Sequence, residues 1–204
     1  FIFSMVAAAA AIEMAFVAIG WQVYDISGNA FDLGLVGLAM FVPLPLLALP
    51  AGHAADRFPR RTLLAVSAFL DAGVAVGLLL FTRSGADATW PFFLLAFGTG
   101  VASAIGGPAA RAMAPMLVPE SVFVRAVAMR SVFFQGAVIG GPALGGLLFA
   151  VSPKVVYATC AGLSLAATCG VLALRVGRDG AHSGAADLAT LLGGIRLVRR
   201  TPVL

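Results

Sequence analysis

Ten residues, Gly52–Arg61 (GHAADRFPRR), form a dense charged turn between two long apolar runs, Leu33–Ala51 and Leu63–Phe81. Each run has about the ~20 residues needed to cross a hydrocarbon core. The pattern predicts a hairpin of two membrane helices with its turn held at one membrane face. Composition agrees. With 61% hydrophobic residues, 11% charged and a mean hydropathy of +1.03, the chain falls far from soluble domains, whose charged fraction is about 25%.

Apolar runs between polar breaks predict six spans: 1–24, 33–51, 63–81, 90–110, 122–150 and 155–174. In lipid every backbone N–H and C=O needs an internal partner, so these spans must be helical. The expected fold class is all-α: a polytopic membrane protein with six transmembrane helices. The chain begins at Phe1 inside an apolar run and stops at Leu204 where another could begin, and it reads as a piece of a longer protein. The first span reads as a retained helix, since it lacks a basic leader and a small-residue cleavage site.

Basic residues set the expected orientation. Arg57, Arg60 and Arg61 follow span two; Arg111, Arg125 and Arg130 lie between or near spans four and five; Arg175, Arg178, Arg196, Arg199 and Arg200 follow span six. Of the 13 basic residues only Arg83 and Lys154 fall in the opposite loops. By the positive-inside rule the charged loops and both ends are cytoplasmic, in a cell (plasma or inner) membrane. The arginines are spread over separate loops, which argues against nucleic acid as a partner. Trp21, Tyr24, Trp90 and Tyr157 map to the outer ends of their spans and are expected to form an interfacial belt. Cys160 and Cys169 lie about 13 Å apart along one helix, on roughly opposite faces, and cannot bridge each other.

The charged turn resembles the signature between the second and third helices of major facilitator superfamily transporters. It reads Gly52, then Asp56 and Arg57, then Arg60 and Arg61, with Pro59 where that family usually has a second glycine. Proline keeps a tight turn but fixes φ near about −65° and removes an N–H. A second resemblance lies in span five, where Gly141, Pro142, Gly145 and Gly146 match the core of an element typical of the superfamily's antiporters; two glycines usual upstream are Ala128 and Ala137 here. The alternative is that these small residues only pack one helix on another. The span-two stretch and the closing LLGGIRLVRRTPVL look like the branch containing siderophore and macrolide exporters.

The resemblance implies one half of a twelve-helix transporter built from 3+3 inverted repeats, an arrangement for which this superfamily is itself the standing illustration. Residues 1–174 would be the amino-terminal six-helix bundle. Residues 175–204 would be a cytoplasmic linker, with Leu188, Leu191, Leu192, Ile195 and Val198 forming one stripe of an interfacial amphipathic helix. The implied partners are the lipid bilayer, a small-molecule substrate, a coupling proton and the missing carboxy-terminal half. The implied function is proton-coupled efflux of an amphipathic small molecule, with an importer or facilitator of the same fold, or a six-helix membrane enzyme or assembly protein, as the rival readings.

Polar residues inside the spans are the candidates for chemistry. Glu13 lies about 16 Å along its helix from Tyr24, near mid-membrane. A carboxyl group there faces a cavity or a partner and can carry a proton or meet a cationic substrate. Asp71 also lies deep in its span, where it can be a structural hydrogen-bond partner or a member of the path. Gln135, and Thr99 and Ser103 one helical turn apart, can add polar groups, although such hydroxyls also bond their own backbone. Span four holds no arginine, unlike many proton-coupled members of the family. On the cytoplasmic side Asp56 is expected to pair with Arg111 and latch the transporter, while Arg57, Arg60 and Arg61 either join that network or bind anionic lipid heads. No enzyme motif, metal site or cofactor site is expected, since the chain lacks H-E-x-x-H, G-x-S-x-G and G-x-x-x-x-G-K patterns and His53 and His182 stand apart.

Overall fold

A computed structural model describes residues 2–85, 87–113 and 123–173. Among them there are seven helices and no strand: α1 (Ile2–Ser27), α2 (Ala30–Phe41), α3 (Pro43–Arg57), α4 (Arg60–Ser84), α5 (Trp90–Met113), α6 (Phe123–Val151) and α7 (Pro153–Ala173). Taken as α1, α2 with α3, α4, α5, α6 and α7, they supply six segments long and apolar enough to cross a membrane. The expected interfacial helix and linker lie outside the described residues.

Local chemistry explains most helix ends. Gly28 (φ 63°) and Gly85 (φ 67°) take the left-handed conformation that a residue without Cβ reaches most easily, closing α1 and α4. Asn29 caps α2, its side-chain oxygen accepting from the Phe31 N–H at 3.0 Å. Span two is not one helix as expected. It breaks at Val42, because Pro43 has no N–H to give to the preceding turn and instead starts α3.

The charged turn is also shorter than its sequence suggests. Helix α3 carries Gly52, His53, Asp56 and Arg57, and only Phe58 and Pro59 separate it from α4. Phe58 is extended (φ −107°, ψ 150°), as a residue before proline prefers. The Pro59 carbonyl accepts from the Thr62 and Leu63 amides and so begins α4. The reversal is built from one proline, and the charges sit on helix ends.

The six spans pair in an ordered way. Span one (α1) packs on spans five (α6) and six (α7), span four (α5) packs on spans two (α2, α3) and three (α4), and spans three and six pack on each other. Exchanging one with four, two with five and three with six maps these main pairings onto themselves, while the lesser contacts of span one with two and of five with six have no counterpart of similar extent among the described residues. That is the pattern of two three-helix repeats running in opposite directions. The core lies where α1, α4, α5 and α7 meet, with Met14, Ile19, Leu78, Phe92, Val156 and Tyr157 all fully buried. Phe81 and Phe92 meet edge to face at 5.3 Å, joining α4 to α5.

Close backbone approach replaces large side chains at the α1–α6 contact. A Cβ on Gly141 would lie 2.7 Å from Glu13 Cβ, and one on Gly145 would lie 2.9 Å from Met14 Cα. Gly146, by contrast, faces open space. Lipid tails are as apolar as the helices themselves, so this tight contact, rather than hydrophobic burial, holds the pair together. Spans two and five remain the least covered, 11% and 17% buried against 39–50% for the other four.

Gly145→Val should lower stability by about 1–3 kcal/mol, the usual cost of overpacking, while Gly146→Ala should be near neutral. Thermal unfolding of the purified intact protein in detergent checks this; equal effects of the two changes would contradict the α1–α6 packing described.

Candidate functional site

At the charged end, arginine side chains close helix termini. The last carbonyls of any helix lack intrahelical donors. Arg60 Nη1 donates to Ala112 O at 3.0 Å at the end of α5, and Arg61 donates to Val171 O at 3.2 Å and to Leu172 O at the end of α7. Two adjacent residues at the start of α4 thus tie span three to spans four and six. Arg57 and Arg111 are exposed, with the Arg111 guanidinium lying back toward Gly107. The side chain of Asp56 lies outside what the structure describes, so the expected Asp56–Arg111 pair does too. Farther along, Arg130 Nε lies 3.1 Å from the Met5 sulfur, joining α6 to α1.

Near mid-span the predicted polar residues separate into distinct places. Glu13, half-buried on α1, sits against Gly141 of α6. The glycine–proline element therefore packs against the Cβ end of the Glu13 side chain, and Pro142 lies inside an unbroken α6. Asp71 is buried, and its Oδ1 has no hydrogen-bond partner. It borders a small cavity whose walls also include Ala11, Ile12, Thr99, Cys160 and Ser164. Thr99 is buried there and donates to Leu95 O at 3.5 Å, the backbone bond expected of a helical hydroxyl. Ser103 is half-buried and Gln135 exposed, and neither they nor Glu13 wall the Asp71 cavity.

Several polar contacts have no counterpart in the sequence reading. Ser67 donates to Ala102 O at 2.8 Å, binding α4 to α5, and Gly106 leaves room for its side chain. At the opposite end of the bundle the Gln22 side-chain oxygen accepts from Tyr157 at 2.9 Å and Thr82 at 3.2 Å, uniting spans one, three and six. Tyr157 is therefore fully buried rather than part of an interfacial belt. A partner for its hydroxyl inside the bundle overrides the aromatic ring's interfacial preference. Trp21, Tyr24 and Trp90 are exposed as expected. Cys160 is buried and Cys169 exposed, both free. Among the described residues, no group of three or more His, Cys, Asp or Glu could hold a metal ion.

Comparison with known proteins decides the family. Residues 2–197 match the family described as transmembrane secretion effector. The chain belongs to this family of the major facilitator superfamily. It is 31% identical to the multidrug efflux pump Tap of Mycolicibacterium fortuitum, over 100% of this chain and 52% of that protein. It is 28% identical to Tap of Mycobacterium tuberculosis (strain H37Rv), over 97% of this chain and 51% of that one. The staphyloferrin A transporter of Staphylococcus aureus is 29% identical over 66% of this chain and 34% of its own length. The chain thus spans about half the length of the Tap relatives. The fold agrees: six membrane-crossing helices in two inverted triplets are half of a major facilitator fold.

Arg61→Ala would leave the α7 carbonyls without donors and should destabilise the protein by about 1–2 kcal/mol, whereas Arg57→Ala should change stability little. Chemical or thermal unfolding of both variants in detergent is the check; equal loss would show that Arg61 does not act as the cap described.

Proposed function

We propose that this chain is one half of a secondary transporter that exports an amphipathic small molecule, of drug or siderophore class, by alternating access coupled to proton entry. The family match over 2–197, joined to relatives about twice as long, is the observation that carries this reading. Spans two and five, the least covered of the six, then offer their free faces to the second half. Rocking of one bundle against the other would expose a mid-membrane site first to one side and then to the other. In this reading the charged loops are cytoplasmic, by the positive-inside rule.

Glu13 is the leading candidate for contact with a cationic substrate or the proton. It lies near mid-helix on a face that is not fully packed, where a lone carboxylate is functional more often than not. Gln135, exposed on span five, and Ser103 would add polar contacts along the same path. Asp56 with Arg111 would latch the cytoplasmic side, Arg60 and Arg61 holding the helix ends on which that latch bears. Residues 175–204 would lead to the second half along the membrane surface. An importer or facilitator of the same fold is the second reading, since the staphyloferrin A relative is named only as a transporter.

Inside-out vesicles carrying the intact protein and energised by an imposed pH gradient test the proposal. Glu13→Gln should cut gradient-driven transport of a cationic compound about ten- to a hundredfold, the range set by losing a hydrogen bond to a charged group. Undiminished transport would remove Glu13 from the path, and the direction of flux separates exporter from importer.

A further inference from the structure

Asp71 is a carboxyl group in the wrong surroundings for a free charge. It lies near the middle of α4, is 7% exposed, and its Oδ1 touches no hydrogen-bond donor. The groups around its cavity come from four spans: Ala11, Ile12 and Ala15 from span one, Val74 and Ala75 from span three, Thr99 from span four, Cys160 and Ser164 from span six. None is cationic. The other titratable groups on these elements do not wall the cavity: Glu13 packs with its Cβ against Gly141 of α6, and Tyr157, one turn from Cys160, is bonded to Gln22. The Cys160 thiol is the one titratable neighbour at the cavity itself, and it supplies no positive charge.

An unpaired carboxylate this deep in a bilayer is strongly disfavoured, so Asp71 must share its site with a proton or a small cation. The walls decide between them. A hard metal cation takes about six or more oxygen ligands, and among side chains this cavity offers only one carboxylate and two hydroxyls. Room for about one water molecule remains beside Asp71, a volume that suits a polar site but not a hydrated ion.

We infer that Asp71 is a proton-binding site built into the core of this half, with a single water joining its acid group to the Thr99 and Ser164 hydroxyls. The step is proton transfer alone: an O–H bond breaks in a hydronium ion that reaches the cavity, leaving water, one forms on Asp71, and the residue passes from −1 to neutral. This deepens the proposed function and rests on it only in making this the coupling proton. It leaves Glu13, on the other side of α1, to meet a cationic substrate. The site is distinct in position from the path of Glu13 and Gln135, and the four spans that wall it are the ones that form the core of the half.

Infrared difference spectroscopy on the intact protein reconstituted in lipid tests the proton site without any transported compound. At neutral pH a protonated-carboxyl C=O band should be present, should vanish in Asp71→Asn, and should shift in Ser164→Ala and Thr99→Val, two milder changes that serve if Asp71→Asn does not fold. Absence of any band that these three variants remove or shift would overturn the inference, as would loss of the band on adding sodium at fixed pH. The coupling role is tested separately with ethidium as a cationic probe. Asp71→Asn should lose gradient-driven transport about a hundredfold while retaining ethidium exchange without a gradient. Full gradient-driven transport in that variant would refute the coupling role, whereas absence of ethidium transport in the parent protein would count against the proposed function and leave the infrared result standing.

Discussion

Hydrocarbon offers a backbone no hydrogen-bond partners, and nearly every feature of this chain answers that constraint. Regular helices satisfy most N–H and C=O groups, and the remaining difficulties fall at breaks and ends. Where Pro43 interrupts span two, Val42 still donates to Leu38 O at 2.9 Å and the chain resumes as helix at once. Where spans four and six end, Arg60 and Arg61 reach across from span three to the last carbonyls. Two of the residues that give the charged turn its sequence signature, Arg60 and Arg61, therefore supply donors to terminal carbonyls of two neighbours.

Packing within the bundle follows from the same solvent. Without a hydrophobic drive between helices, association depends on close contact and on hydrogen bonds between helices. Gly141 and Gly145 bring α6 onto α1 at Glu13 and Met14, while Ser67 bonds across α4 and α5 and Gln22 gathers Tyr157 and Thr82. Spans one, three, four and six become a mutually braced core. Spans two and five stay at its margins, which is where a second bundle would bear.

Much of this was legible in the sequence, because spans announce themselves by length and apolarity and ends by glycine, proline and charge. The six spans and the small-residue element of span five were both readable in that way, whereas the break of span two at Pro43 was not. The charged decade looked like a loop because Asp56, Arg57 and His53 are polar, yet helix ends carry such residues as readily as turns do. Tyr157 read as an interfacial residue because its partner, Gln22, lies 135 positions away in the chain. For the same reason Asp71 gave no hint of Cys160 and Ser164: they belong to span six and meet it only through the pairing of the repeats. Contacts between spans depend on the rotation of each helix, and neither hydropathy nor spacing in one chain reports that rotation.

The central claim is that lipid is the solvent and that the chain crosses it six times, with the Phe58–Pro59 turn on the opposite side from the turns at Gly28–Asn29 and Asp87–Thr89. Single cysteines at Phe58, Asn29 and Asp87, in the intact protein with its native cysteines, Cys160 and Cys169 included, changed to serine, can be labelled in sealed right-side-out vesicles with a membrane-impermeant maleimide. The account predicts labelling at positions 29 and 87 from outside, and at 58 only after the membrane is permeabilised. Labelling of all three positions from the same side would contradict it.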